Sequence, residues 1–212
     1  MECLTLAMAK GRTAEEAMKL LNGAGIYFPD FHEKSRKLIF YDESHRFKLV
    51  YVKAVDVPTY VEKGAADLGI VGKDNIAEAQ ANVYDMMDLS FGHCQFALAG
   101  KADTDIDSTQ KLAVASKYPA VARAYFDRRK IPIETIKLNG SVELAPLVGL
   151  ADVIVDIVET GTTLKENGLQ IIDVIETIST RLIVNKASFA TKSDQIHGFM
   201  AQLTDALEVR NS

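Results

Sequence analysis

The chain is poor in cysteine, with Cys3 and Cys94 alone among 212 residues. They lie far apart, and neither forms a C-x-x-C pair or stands beside a histidine at metal-ligand spacing, so a disulfide framework and a zinc ribbon are both excluded. Both are expected to be reduced, buried packing residues, a common fate of free thiols. No apolar run approaches the roughly 20 residues that a membrane span needs. The short apolar stretch near the N-terminus has no basic segment before it, so a secretory leader is not expected and a cytoplasmic protein is. Proline and glycine never gather into a linker, and no repeat, low-complexity tract or charge block is visible. A G-x-G-x-x-G fingerprint and a Walker loop are missing. So are serine-nucleophile and zinc-hydrolase patterns. The four histidines, His32, His45, His93 and His197, form no catalytic or metal arrangement.

What remains is a balanced globular composition, 48% hydrophobic and 25% charged, with a net charge of −5. That charge gives no general affinity for nucleic acid or anionic membranes. A site for a polyanion must then be built locally from a few Lys, Arg and backbone N–H groups. The apolar pattern keeps switching between short strand-like runs and helical spacing, which predicts an α/β fold. Strands are expected at 4–8, 37–41, 47–52, 67–71, 93–99, 112–115, 133–136 and 152–157. A long β-branched stretch follows over 171–184, broken around 176–179. Helical spacing is expected after the first strand, around Tyr60, between 115 and 133, over 142–150, and in a closing helix from Phe189 to Leu207. With no linker, two domains must share more than one crossing strand, and such a double crossover predicts a ligand cleft between lobes.

The most informative stretch is Asp152-Val-Ile-Val-Asp-Ile-Val-Glu-Thr-Gly-Thr-Thr-Leu164, a strand running into a small-residue turn and a helix start. Thr160, Gly161, Thr162 and Thr163 offer backbone N–H groups and three hydroxyls where orphan donors and a helix dipole favour an anion. Gly161 permits a positive φ. Asp156 and Glu159 would repel a phosphate but suit a sugar, whose vicinal hydroxyls donate to a carboxylate. Acid plus Thr-Gly-x-Thr at a strand end therefore predicts recognition of a ribose 5-phosphate; the competing reading is an ordinary threonine-capped helix. Glu143, after Gly140-Ser141-Val142, brings another carboxylate to the same strand ends or else interacts with its own helix dipole. In the first half, Lys10-Gly11-Arg12 places two cations where a strand meets a helix, and Arg36 and Lys53 also fall beside strand ends. Asp67-Leu-Gly-Ile-Val-Gly-Lys-Asp74 is a strand, a tight turn and a helix start.

These segments together resemble the ATP phosphoribosyltransferase family. The resemblance rests on residues 140–164, Lys10-Gly-Arg12, Ser35-Arg-Lys-Leu38, Asp56-Val-Pro-Thr-Tyr-Val61 and Gly64–Asp74, ordered along nearly the whole chain. It implies a two-lobed fold like the type II periplasmic binding proteins. One lobe would take residues 1–91 and 176–212, the other 92–175 with the phosphoribosyl loop. It further implies the short form, which works with a separate subunit resembling histidyl-tRNA synthetase in a hetero-octamer built on homodimers of catalytic chains. The implied reaction moves phosphoribosyl from phosphoribosyl pyrophosphate to N1 of ATP and releases pyrophosphate, with Mg²⁺ held mainly by the substrate diphosphate. By the same resemblance, Thr160–Thr163 would hold the 5-phosphate, and Asp156 and Glu159 would face the ribose hydroxyls. Asp67 and Glu143 would line the nucleotide pocket. Lys10, Arg12, Arg36 and Lys53 would serve catalysis through the pyrophosphate or ATP phosphates. Position 53 departs from the family pattern, where arginine is common; lysine keeps the charge without the planar fork. A binding module of the same fold, or a phosphoribosyltransferase with another nitrogenous acceptor, are the alternatives.

Overall fold

A computed structural model describes residues 3–32, 35–106 and 111–211. In chain order it opens with β1 (Leu4–Ala9), α1 (Arg12–Gly23), β2 (Ile39–Tyr41), β3 (Phe47–Val52), α2 (Val57–Glu62), β4 (Leu68–Gly72), α3 (Lys73–Ala79) and β5 (Tyr84–Asp88). The second series is β6 (Cys94–Gly100), β7 (Leu112–Ser116), α4 (Pro119–Arg129), β8 (Ile133–Lys137), α5 (Leu144–Leu147), β9 (Val153–Val158), α6 (Thr162–Glu166) and β10 (Gln170–Ile178). The chain then returns through β11 (Thr180–Val184), α7 (Lys186–Thr191) and α8 (Ser193–Asn211). Two compact units result, Met1–Gly92 with Ser179–Ser212, and His93–Ile178. The second crossing falls at Ser179, later than the expected break before residue 176, because β10 stays paired to β6 through Ile178. Among the described residues no helix is long and apolar enough to cross a membrane.

The first unit is a six-stranded sheet in the order β2-β3-β1-β4-β11-β5, with β3, β1 and β4 parallel. Alternation along β1 decides its two faces. Leu4, Leu6 and Met8 pack under α1 and α8, while Ala7 and Ala9 face α2. The α2 face is built from small residues because the helix lies close: a Cβ at Gly69 would meet Val61 Cγ2 at 2.7 Å and Ile183 Cγ1 at 2.9 Å. On the opposite face α8 buries Ile196, Phe199 and Leu203, each contributing about 1.5–3 kcal/mol.

Several local features differ from expectation. The closing segment is two helices: α7, capped by Asn185, which accepts a hydrogen bond from the Ser188 N–H at 2.8 Å, gives way at Lys192, where φ −123° and ψ 28° leave the helical range before α8 begins. The helix expected over 142–150 shrinks to the single turn α5, and Gly149 leaves it with φ 73°. Strand β5 had no apolar alternation to announce it; its Asp85 and Asp88 instead pair with Arg181 of β11. The two cysteines are free, but only partly buried, since both sit at the starts of strands rather than inside them.

The second unit is a five-stranded sheet, β10-β6-β9-β7-β8, in which β7, β8 and β9 are parallel. Helix α4 covers the face carrying Leu98, Val114, Val153 and Val155. The face of Ala97, Ala99, Ala115 and Ile154 receives α5 and α6. The chain leaves β7 toward β8 on one side and leaves β9 toward β10 on the other. The crevice at the carboxyl ends of β7 and β9 is thus a topological switch point, where open α/β sheets bind ligands.

Candidate functional site

Strand β9 delivers the Thr-Gly-Thr-Thr loop to that switch point. Gly161 takes φ 76° and ψ 0°, a left-handed conformation that turns the chain abruptly into α6 and that glycine adopts without steric cost. Thr160 Oγ1 accepts from the Thr162 N–H at 3.4 Å and lies 3.0 Å from the Thr162 hydroxyl. Helix α6 has only five residues, so its dipole is that of little more than one turn. Local N–H groups and hydroxyls, rather than a long helix, are what the loop offers an anion.

The loop forms one wall of a cavity of about 230 Å³ that is lined by Glu143, Asp156, Glu159, Thr160, Gly161 and Thr163 among others. All six were singled out by their sequence context, and the fold brings them together. Asp156 shares its face of β9 with Ile154 and Val158, the face on which α5 and α6 pack. Glu143 arrives there because it immediately precedes α5. Burial pushes the Asp156 carboxyl above its usual range, against a hydrogen bond accepted from the Ile157 N–H at 2.8 Å. Glu143 raises it further by like-charge repulsion, and Lys117 draws it back down. The cavity therefore combines hydrogen-bond acceptors for hydroxyls with a ring of donors for an anion.

In the first unit, five cations lie toward the carboxyl ends of the parallel strands. Lys10 follows β1, donating its N–H to Val52 O at 2.9 Å and holding its ammonium 5.2 Å from the centre of the Tyr51 ring. Gly11, at φ 100°, caps α1, which begins at Arg12. Lys53 follows the parallel β3, and Arg36 precedes the antiparallel β2, so both lie at the same end. Lys73 and Asp74 follow β4 at that end too. Asp67 does not join them. It precedes β4, at the opposite ends of the parallel strands, roughly 20 Å away along a six-residue strand. It is 6% exposed and accepts hydrogen bonds from the Thr5 N–H at 2.8 Å, the Ser188 hydroxyl at 2.7 Å and the Lys192 ammonium at 3.0 Å. These bonds make it a structural tie between β1, β4 and the α7–α8 segment. Sequence reading also passed over Ser116 and Lys117, although Ser-Lys-Tyr-Pro at a strand-to-helix turn was the available signal.

A model of the ATP phosphoribosyltransferase family matches residues 53–205. An ATP phosphoribosyltransferase of Oceanobacillus iheyensis is 55% identical over 96% of this chain and 98% of its own length. The chain belongs to the ATP phosphoribosyltransferase family. One from Listeria innocua is 49% identical, with 98% of each chain covered. Among solved structures, a chain of the ATP phosphoribosyl transferase (HisG:HisZ) complex from Thermotoga maritima aligns with a TM-score of 0.85 at 35% identity, covering 97% of this chain and 98% of its own. The sulphonate-binding protein SsuA of Escherichia coli aligns at a TM-score of 0.58 and 13% identity, covering all of this chain and 70% of its own, which shows a shared periplasmic-binding-protein-like fold and no more. As an ATP phosphoribosyltransferase the protein is a pentosyltransferase. It moves phosphoribosyl from phosphoribosyl pyrophosphate to N1 of ATP with release of pyrophosphate, the first step of histidine biosynthesis.

Proposed function

We propose that the β9–α6 loop is the phosphoribosyl-binding element of this reaction and that the first unit's cations serve its phosphates. The observation that carries the reading is the gathering of Glu143, Asp156, Glu159, Thr160, Gly161 and Thr163 around one cavity at the switch point. The N–H groups and hydroxyls of Thr160–Thr163 hold the 5-phosphate. Asp156 and Glu159 accept hydrogen bonds from the ribose hydroxyls, which fixes the ring with C1 outward. Glu143 borders the nucleotide side. Lys10, Arg12, Arg36 and Lys53 ion-pair with the pyrophosphate or the ATP phosphates. Lys53 does so as a point charge, without the two-pronged grip of arginine.

Adenine N1 carries a lone pair and attacks without deprotonation. The C1–N1 bond forms as the C1–O bond to pyrophosphate breaks, and that electron pair leaves with the pyrophosphate. Positive charge builds on the ribose and negative charge on the leaving group, so carboxylates beside the ring and fixed cations at the phosphates both lower the barrier. Mg²⁺ commonly takes one or two carboxylates from a protein and the rest of its ligands from phosphate and water. Mg²⁺ would arrive mainly on the substrate diphosphate and neutralise part of its charge. The two units, Met1–Gly92 with Ser179–Ser212 and His93–Ile178, act as the two lobes. The chain is the cytoplasmic short form, paired with a histidyl-tRNA-synthetase-like regulatory subunit in a hetero-octamer built on catalytic homodimers. The HisG:HisZ assembly of the Thermotoga maritima relative supports that pairing.

The test is pyrophosphate release with ATP, phosphoribosyl pyrophosphate and Mg²⁺, omitting each in turn and following N1-substituted adenine by ultraviolet absorbance. Release that needs both substrates, and that a Thr162→Ala/Thr163→Ala variant suppresses, is the expected result. Full activity in that variant would remove the loop from the reaction. No turnover, with and without the regulatory subunit, would favour a binding module instead.

A further inference from the structure

The cavity presents an electrostatic problem that its own lining does not solve. Three carboxylates, Glu143, Asp156 and Glu159, border it, and none of the described residues lining it is basic. A polyanionic sugar phosphate brought against them meets like charge in a partly desolvated site, where Coulomb repulsion is strengthened. A cation held at this edge by the second unit itself would relieve it. Lys137 ends β8, which lies on the far side of β7 from β9, and Lys165 lies in the last turn of α6, away from its N-terminal loop. Lys117 differs from both. It follows β7, the immediate parallel neighbour of β9, with Ser116 in register with Val155.

The turn that carries Lys117 is pinned. Ser116 is fully buried; its hydroxyl donates to Val155 O at 2.5 Å and accepts from the Tyr118 N–H at 2.8 Å. One side chain thus ties the backbone on both sides of Lys117 to β9, a residue away from Asp156. Tyr118 is 5% exposed and packs edge-on against Phe96 of β6 at 5.0 Å between ring centres. The Lys117 ammonium rests 5.5 Å from the centre of that ring, a cation–π contact that limits where the side chain can swing. Lys117 itself is exposed, so its ammonium is open to a ligand. The same lysine attracts the Asp156 carboxylate.

Resting on the assignment of the β9–α6 loop to phosphoribosyl pyrophosphate, we propose that Lys117 is a further substrate-binding residue. Its ammonium pairs with a phosphate group of that substrate and screens it from Asp156, and Ser116 positions it. Lys117 is thereby specific to one of the two substrates.

The experiment is calorimetric titration of Lys117→Ala, Lys117→Gln and wild type with phosphoribosyl pyrophosphate and Mg²⁺, and separately with ATP and Mg²⁺. Thr162→Ala/Thr163→Ala is run alongside. Both lysine variants are expected to bind phosphoribosyl pyrophosphate at least fivefold more weakly while ATP affinity stays within twofold. A smaller loss in either variant, or an equal loss for ATP, overturns the proposal. Because Lys117 is exposed, thermal melting should match wild type, and Lys117→Gln keeps most of the stem should Lys117→Ala disturb the Tyr118 contact. Unchanged phosphoribosyl pyrophosphate binding in the threonine variant would sink the loop assignment itself. Loss there with retention in both lysine variants would sink only the role of Lys117.

Discussion

Two aspartates of this chain stand beside strands and have opposite physical fates. Asp67 is enclosed and fully engaged by Thr5, Ser188 and Lys192. Removing one member of a buried ion pair typically costs about 3 kcal/mol, because the partner is left charged and unpaired. Asp67→Ala should therefore lower the denaturant midpoint markedly while the folded fraction keeps its wild-type affinity for ATP; a variant as stable as wild type would show that the tie carries little. Asp156 is half-buried and, among the described residues, has no cationic partner in direct contact, and burial raises its carboxyl above the usual range. The native state then holds its proton over a pH window where the unfolded chain has released it. Linkage makes stability fall as pH rises through that window, from the ordinary aspartate value up to the raised one. Asp156→Asn removes the loss. Above the window the variant should melt higher than wild type, below it the two should converge, and transfer activity should drop in spite of the added stability. Melting curves across pH would expose an error in sign at once.

At the scale of the element, the turn between β9 and α6 depends on one backbone conformation. Gly161 sits at φ 76°, and a Cβ there would meet only Val158 Cγ1, at 3.8 Å. The obstacle to a side chain is thus conformational, about 1–2 kcal/mol for a non-glycine residue in the left-handed region. If the strain falls on the binding-competent loop, Gly161→Ala should weaken phosphoribosyl pyrophosphate roughly five- to thirtyfold. ATP affinity should hold, as equilibrium titration with each substrate would reveal. Most elements were legible from period and punctuation: β3 coincides with its expected span, and β7, β8 and β9 fall within a residue of theirs. Strand β5 was not, because its adjacent Met86 and Met87 are only partly buried against the core and Arg181 holds its aspartates, which leaves no alternating apolar face. The start of α7 was not, because it is fixed by Asn185, whose amide donates to Val61 O at 2.7 Å across 124 residues of sequence.

At the scale of the molecule, the second unit is continuous in sequence while the first is assembled from two segments. Every strand of the β10-β6-β9-β7-β8 sheet and both of its core clusters come from within His93–Ile178. That segment expressed alone should fold cooperatively, judged by coincident far-ultraviolet and fluorescence transitions. The first unit should survive its excision when Gly92 is joined to Ser179 by a short linker, since the Thr180 N–H already donates to Phe91 O at 2.9 Å. A molten product in either case would mean that the units stabilise each other more than their separate cores imply. The likeness of the whole to sulphonate-binding proteins lies in the fold alone, and folds host many functions; membership of the ATP phosphoribosyltransferase family is what ties this chain to a transferase.

Sequence by itself determined the α/β class, the family, and the residues of the β9–α6 loop, because strand, turn and helix start are encoded within thirteen consecutive residues. Local order also sufficed for Lys10 and Arg12, which follow β1 directly. Only the tertiary structure decided that Glu143 faces Asp156, that Lys117 lies beside β9, and that Asp67 belongs to the opposite end of the sheet. Those facts depend on strand order and direction, and on which face each helix covers. Such properties arise from pairing between segments distant in sequence, where the local pattern of apolar and polar residues is silent.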